Sequence, residues 1–155
     1  SKTMGLNVHL ELDSWSQVRL DLENKKIDGV VGMSYSPQRS AKANFSSPYI
    51  YITHSLFARK DNKIKSIEDI KDKQVLVIKG DIMHDYLISN NLTNYIIPVK
   101  NYITALRLLS SGEYDCALIN KVHGQFAIKE YNLSNIEPVG SSLQPKEICF
   151  AYRSD

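Results

Sequence analysis

Apolar and polar positions alternate along this chain at two periods, one of strands and one of helices. Val8-His-Leu-Glu-Leu12 places an apolar residue at every second position and predicts a half-buried strand. Asp13-Ser14 then offers a helix cap, and Trp15, Val18 and Leu22 share one helical face. Ile27-Asp-Gly-Val-Val-Gly-Met33 reads as a strand covered on both faces. Ser36 to Ala43 predicts a short helix with Pro37 in its first turn, and Tyr49 to Arg59 a long extended run rich in aromatic and β-branched residues.

A second series follows. Ser66-Ile-Glu-Asp-Ile predicts a capped helical turn, Gln74 to Lys79 a strand, and Gly80-Asp81 a turn into a helix from Ile82 to Ser89. Further strands are expected at Asn94–Lys100, Tyr114–Asn120, Ile136–Val139 and Ile148–Arg153, with helices at Ile103–Ser110 and Lys121–Tyr131. Repeated strand–helix–strand units with short connections predict an α/β fold of parallel sheets with helices on both faces. Such sheets hold ligands at the carboxyl ends of their strands. The length of Tyr49–Arg59, and the extended stretch after Leu143-Gln-Pro-Lys-Glu-Ile148, suggest two strands that cross between two lobes and form a hinge.

Composition narrows the function classes. A net charge of +2, with Lys and Arg scattered among Asp and Glu, gives no basic stripe for a nucleic acid. The apolar runs are strand-length, too short to span a membrane. Cys116 and Cys149 each sit inside an apolar run, which suits two buried small hydrophobes, with a disulfide left open. The four histidines show no metal-ligand spacing, and there is no nucleotide-binding glycine loop and no Gly-x-Ser-x-Gly elbow. No cofactor, metal or catalytic anchor is expected, and the chain is read as a binding protein rather than an enzyme.

Arg39 follows the strand ending at Met33 by a short polar loop that also carries Ser34 and Ser36. A forked guanidinium beside hydroxyls suits a carboxylate, although periodicity alone fits a surface arginine paired with a nearby acid. Gly80-Asp81-Ile82-Met83 opens a helix whose free N–H groups favour an anion, unless Asp81 itself caps them. Asn120 ends a strand where it can both donate and accept.

Gly32-Met-Ser-Tyr-Ser-Pro-Gln-Arg-Ser-Ala-Lys-Ala-Asn-Phe-Ser-Ser-Pro-Tyr49 resembles the type II periplasmic solute-binding proteins, in their amino-acid-binding branch. The likeness continues through Ser66 to Gly80 and through Ala105 to Ala117. It implies a two-lobed fold, with residues 1–54 and 144–155 in a first lobe that looks incomplete, 55–143 in the second, and hinge strands near 50–59 and 144–152. By the same resemblance Arg39 anchors a ligand carboxylate, with Ser34 and the Gly32 backbone as companions. Asp81, Ile82 and Met83 form the second-lobe clamp, and Asn120 stands where an acid usually receives an α-ammonium. Asn120 and Ile82 depart from that pattern, so an unmodified amino acid is not the expected ligand.

Trp15 and the Gly80–Leu87 segment look most like extracytoplasmic sensor domains of bacterial histidine kinases and diguanylate cyclases. The expectation is a sensor on the periplasmic or extracellular face of the bacterial inner membrane, linked to a membrane-bound signalling module. Its ligand would be a carboxylate-bearing or amino-acid-like small molecule; a homodimer is left open. A transport receptor is the alternative, an enzyme using Asp81 the third reading, and an interaction module without a ligand the fourth. Arg39→Ala is expected to abolish binding with little loss of stability.

Overall fold

The computed structural model describes residues 4–155. Its helices and strands run, in chain order, α1 (Trp15–Glu23), β1 (Gly29–Ser34), α2 (Pro37–Ser40), β2 (Ala43–Phe45), β3 (Ile50–Ile52), β4 (His54–Arg59), β5 (Gln74–Ile78), α3 (Ile82–Ser89), β6 (Tyr95–Val99), α4 (Tyr102–Ser111), β7 (Cys116–Asn120), α5 (Lys121–Glu130), β8 (Ile136–Val139) and β9 (Lys146–Arg153). Ile67–Ile70 forms a 3-10 turn closed by a capping box between Ser66 and Asp69.

The strands form two sheets. The first lobe is built on β9, with β1 on one side and β2 and then β3 along the other. Every pairing in it is antiparallel, which corrects the parallel arrangement expected from the sequence. Hydrogen bonds from Ser46 and Tyr49 to the β9 carbonyls of Phe150 and Ile148 carry the ladder across the gap between β2 and β3. The second lobe has the order β6-β5-β7-β4-β8. Its β6-β5-β7 centre is parallel, as expected; β4 runs antiparallel to β7, and β8, antiparallel to β4, points the same way as the centre.

Thr53 alone separates β3, in the first sheet, from β4, in the second. The long run Tyr49–Arg59 is therefore two strands that pass from one lobe to the other. At the return, the Leu143 N–H donates to the His54 carbonyl at 2.9 Å, just before β9 enters the first sheet.

Burial explains why the second lobe forms these elements. One apolar cluster packs α3, through Ile82, Met83 and Leu87, on one sheet face; another packs α4 and α5, through Ala105, Leu106, Leu109 and Ala127, on the other. Val75, Leu76 and Val77 of β5 alternate between these two cores and are fully buried. Gly124 lets α5 approach, since a Cβ there would run into the Phe57 ring.

The first lobe has one cluster on one face, where Leu22 meets Val30, Met33, Ala43 and Ala151. Val31, cross-strand from Phe150, lies on the other face and is 69% exposed. The expectation that Ile27–Met33 is covered on both sides is thereby corrected. Val8–Leu12 is not a strand either. The stretch pairs with no described strand, and Val8, Leu10 and Leu12 are exposed, so its alternation has no face to bury. Cys116 and Cys149 lie buried in different sheets as free thiols, with burial pushing Cys116 up to about 12.

Candidate functional site

The site begins with two loops that face each other from opposite lobes. In the first lobe, Pro37 starts α2 and the Ser36 hydroxyl caps it, accepting from the Arg39 N–H at 3.2 Å. That turn carries the Arg39 side chain inward, where it is 1% exposed. The surface-arginine reading is corrected: the acid is there, but the pair is internal. Arg39 Nε donates to Asp85 Oδ2 at 3.0 Å and Nη2 lies 2.9 Å from the same oxygen. Nη2 also donates to the Gly80 carbonyl at 3.0 Å, and Nη1 to the Ser34 carbonyl at 3.2 Å. Burial pushes the Arg39 pKa down, and the Asp85 carboxylate opposes that shift.

Helix α1 adds two more donors to the same target. Trp15 Nε1 reaches the Gly80 carbonyl at 2.9 Å. One turn later, Arg19 Nη1 donates to that carbonyl at 2.9 Å and to both Asp85 oxygens at 3.0 Å. Glu23 steadies Arg19 through an i,i+4 pair at 2.8 Å. Burial alone would lower the Arg19 pKa, but its hydrogen bonds to Asp85 and Glu23 outweigh that and raise it. Trp15, Arg19 and Arg39 of the first lobe thus close on Gly80 and Asp85 of the second.

Around this latch the predicted residues separate. Ser34 is buried and offers its backbone oxygen to Arg39. Gly32 sits at the bulge in β1 with φ +88°, a conformation that glycine adopts without strain, and its backbone is exposed. Ile82 and Met83 bury their side chains in the core, so they can offer a ligand only first-turn amides of α3. Asp81 occupies the N-cap position of that helix, yet its carboxylate caps nothing, contrary to the cap expected there. It lies 3.8 Å from His54 Nε2, beyond hydrogen-bond reach. Asn120 caps α5, its side-chain oxygen accepting from the His123 N–H at 3.1 Å, and it stands opposite His54 in the β4–β7 register.

The carboxyl ends of β5 and β7 therefore bring Asp81, Asn120 and His54 together beside the hinge. A cavity of about 460 Å³ nearby, lined by Tyr35, Tyr51, Pro145, Lys146 and Glu147, includes none of the residues singled out in the sequence. Three participants escaped the sequence: Arg19, Asp85 and His54. Only the Trp15–Arg19 spacing, one helical turn, carried a local signal. No group of three or more potential metal ligands occurs among the described residues.

Two lobes joined by crossing strands, with polar side chains meeting between them, define a periplasmic-binding-protein-like fold. Residues 1–135 match the bacterial extracellular solute-binding proteins, family 3, and the chain belongs to that family. It is 29% identical to the amino-acid-binding protein AabA of Dichelobacter nodosus over 136 residues, which cover 85% of this chain and 54% of that protein. It is 26% identical to the L-cystine-binding protein TcyJ of Escherichia coli K12, covering 99% of this chain and 58% of the relative. The chain thus spans about half the length of these curated relatives. Among solved structures, a histidine kinase sensor domain with similarity to periplasmic binding proteins superposes with a TM-score of 0.89 at 30% identity, covering 99% of this chain and 68% of the other. An ancestral arginine-binding protein bound to arginine gives 0.83 at 25% identity, with 99% and 70% covered. These relatives are binding proteins and a sensor, which agrees with the reading of a binding domain.

Proposed function

We propose that this chain is the extracytoplasmic ligand-binding domain of a transmembrane signalling protein, capturing a small polar or carboxylate-bearing molecule between its lobes. The observation that carries this reading is the latch. The lobes meet there through Trp15, Arg19 and Arg39 on one side and Gly80 and Asp85 on the other. Polar groups of this kind can exchange partners with water or with a ligand, so the contact suits a domain that opens and closes. A ligand that binds the closed state better shifts that equilibrium, and a membrane-linked module reads the shift.

In this reading the crossing near Thr53 and the return into β9 form the hinge between a first lobe (1–54 and 144–155) and a second (55–143). Arg39 is the anchor, and a ligand carboxylate reaches it by replacing that of Asp85. Ser34 and Gly32 line the first-lobe side, the amides of Ile82 and Met83 the second, and Asn120 adds polar selection. The sensor likeness supports the signalling role. The amino-acid-binding relatives favour a second reading, a solute receptor of a transporter.

Thermal-shift screening of small carboxylates and amino acids against wild type and Arg39→Lys tests the capture. Arg39→Lys keeps the charge but loses the fork, so carboxylate-bearing ligands that stabilise wild type are expected to stabilise it less. Equal stabilisation would remove Arg39 as the anchor. The full-length gene tests the output: a membrane-spanning helix joined to a kinase or cyclase module is expected, and a free-standing lipoprotein without one would move the protein to transport.

A further inference from the structure

We infer that the cleft acid that receives a ligand's cationic nitrogen is Asp81, rather than a residue at position 120, and that the ligand is an amine- or guanidinium-bearing small molecule held more by its cation than by a carboxylate at Arg39. This rests on the capture reading above and names the chemistry of the same cleft.

The groups in the cleft differ in what they have left to offer. Asn120 spends its side-chain oxygen on the His123 N–H, so only its NH2 donors remain, and these suit an acceptor rather than an ammonium. Asp85 already receives Arg19 and Arg39, so its charge is met from within the protein. Arg39 in turn has Nε, Nη1 and Nη2 all engaged. Asp81 is the exception. Ser36, Asn101 and Asn120 each use their side chains to cap a helix, whereas the Asp81 side chain, at the same position of α3, caps nothing. Its partly exposed carboxylate is thus left with oxygens free to accept from a ligand cation.

His54 strengthens the case from the start of β4, beside the hinge. It is 1% exposed, its Nδ1 has no hydrogen-bond partner among the described residues, and its Nε2 faces the Asp81 carboxylate at 3.8 Å. Burial lowers the His54 pKa, with Asp81 opposing and Lys146, His123 and Arg39 adding to the fall, so at neutral pH the ring is uncharged. The Asp81 carboxylate therefore has no Lys or Arg within ion-pair distance among the described residues. A ligand ammonium or guanidinium seated there gains a charge-assisted hydrogen bond. A ligand carboxylate, by contrast, has to displace Asp85 from Arg39, so its contribution is offset by the pair it breaks.

Titration calorimetry of the protein with L-arginine, agmatine (which lacks the carboxylate) and glutarate (which lacks the cation) tests this. Agmatine is expected to bind within about tenfold of arginine, and glutarate at least ~100-fold more weakly. Asp81→Asn is expected to weaken both cations about 30-fold while melting with wild type, because its carboxylate caps nothing; Val31→Thr, on the open face of the first lobe, is expected to change them less than about threefold. Glutarate binding as tightly as arginine, or cation affinity unchanged in Asp81→Asn, would overturn the assignment while leaving the capture reading in place. If none of the probes binds and the wider carboxylate and amino-acid screen also fails, the capture reading falls and this inference falls with it.

Discussion

The two lobes are held together by different means, although each is an α/β layer. The second lobe is a sheet between two apolar cores, with Val75, Leu76 and Val77 of β5 fully buried and helices docked on both faces. The first lobe has a single small core, an outer face carrying Val31, Phe150 and Tyr152 towards solvent, and a buried arginine whose partners lie mostly in the other lobe. The second lobe is thus self-supporting. The first depends in part on the contact that ligand binding would alter, so its stability and its function share the same hydrogen bonds.

That contrast can be broken at graded positions. Phe57→Ala, in the core of the second lobe and against Gly124, is expected to cost about 3–5 kcal/mol and to lower the denaturation midpoint of the whole chain. Arg39→Ala comes next. Its burial corrects the expectation of little stability loss: removing it leaves half the Asp85 pairing and the Ser34 carbonyl without a donor, a loss of ~2–3 kcal/mol, reduced from the fully buried value because Asp85 is partly exposed. Hydrogen exchange should place that loss in α1, α2 and the start of α3, leaving β5 protected. Uniform loss of protection would mean that the lobes unfold as one unit and that the contrast is false.

A smaller effect should appear with pH. The folded pKa of His54 lies below its ordinary 6.5 because burial disfavours the charged ring, so the unfolded chain takes up the proton first. Stability should therefore hold above about pH 6.5 and fall as the solution is acidified towards the folded pKa. His84, also lowered mainly by burial, adds a slope of the same sign. His54→Gln should reduce the slope without removing it, and an unchanged slope would show that His54 does not titrate between the two states. The smallest effect is expected on the open face, where Val31→Thr should change stability by less than about 0.5 kcal/mol. A larger loss would show that this face is covered in solution.

The second lobe was the more legible in sequence because its signals are local. The helix from Ile82 to Ser89 falls where expected, bounded by Gly80-Asp81 on one side and set by apolar spacing along its length. The resemblance around Arg39 pointed to a loop that meets the second lobe, and its blocks match the family to which the chain belongs. What escaped is long-range. An arginine's neighbours leave no periodicity, so nothing near Arg39 announced Asp85, 46 residues away. Val8–Leu12 misled for the reverse reason: alternation describes a strand only when a partner and a buried face exist to receive it. Asp81 had the sequence of a cap but not the contact, and that difference is visible only in coordinates.

The Gly80 carbonyl has one further consequence. An oxygen with two lone pairs is approached by three donors, Trp15, Arg19 and Arg39, at 2.9 to 3.0 Å. With more donors than good positions, one can leave without orphaning the acceptor. Release of the lobes need not be a single rupture, then. It can proceed as successive handovers, each departing donor replaced by one already in place, which would give the closed form a graded resistance to opening.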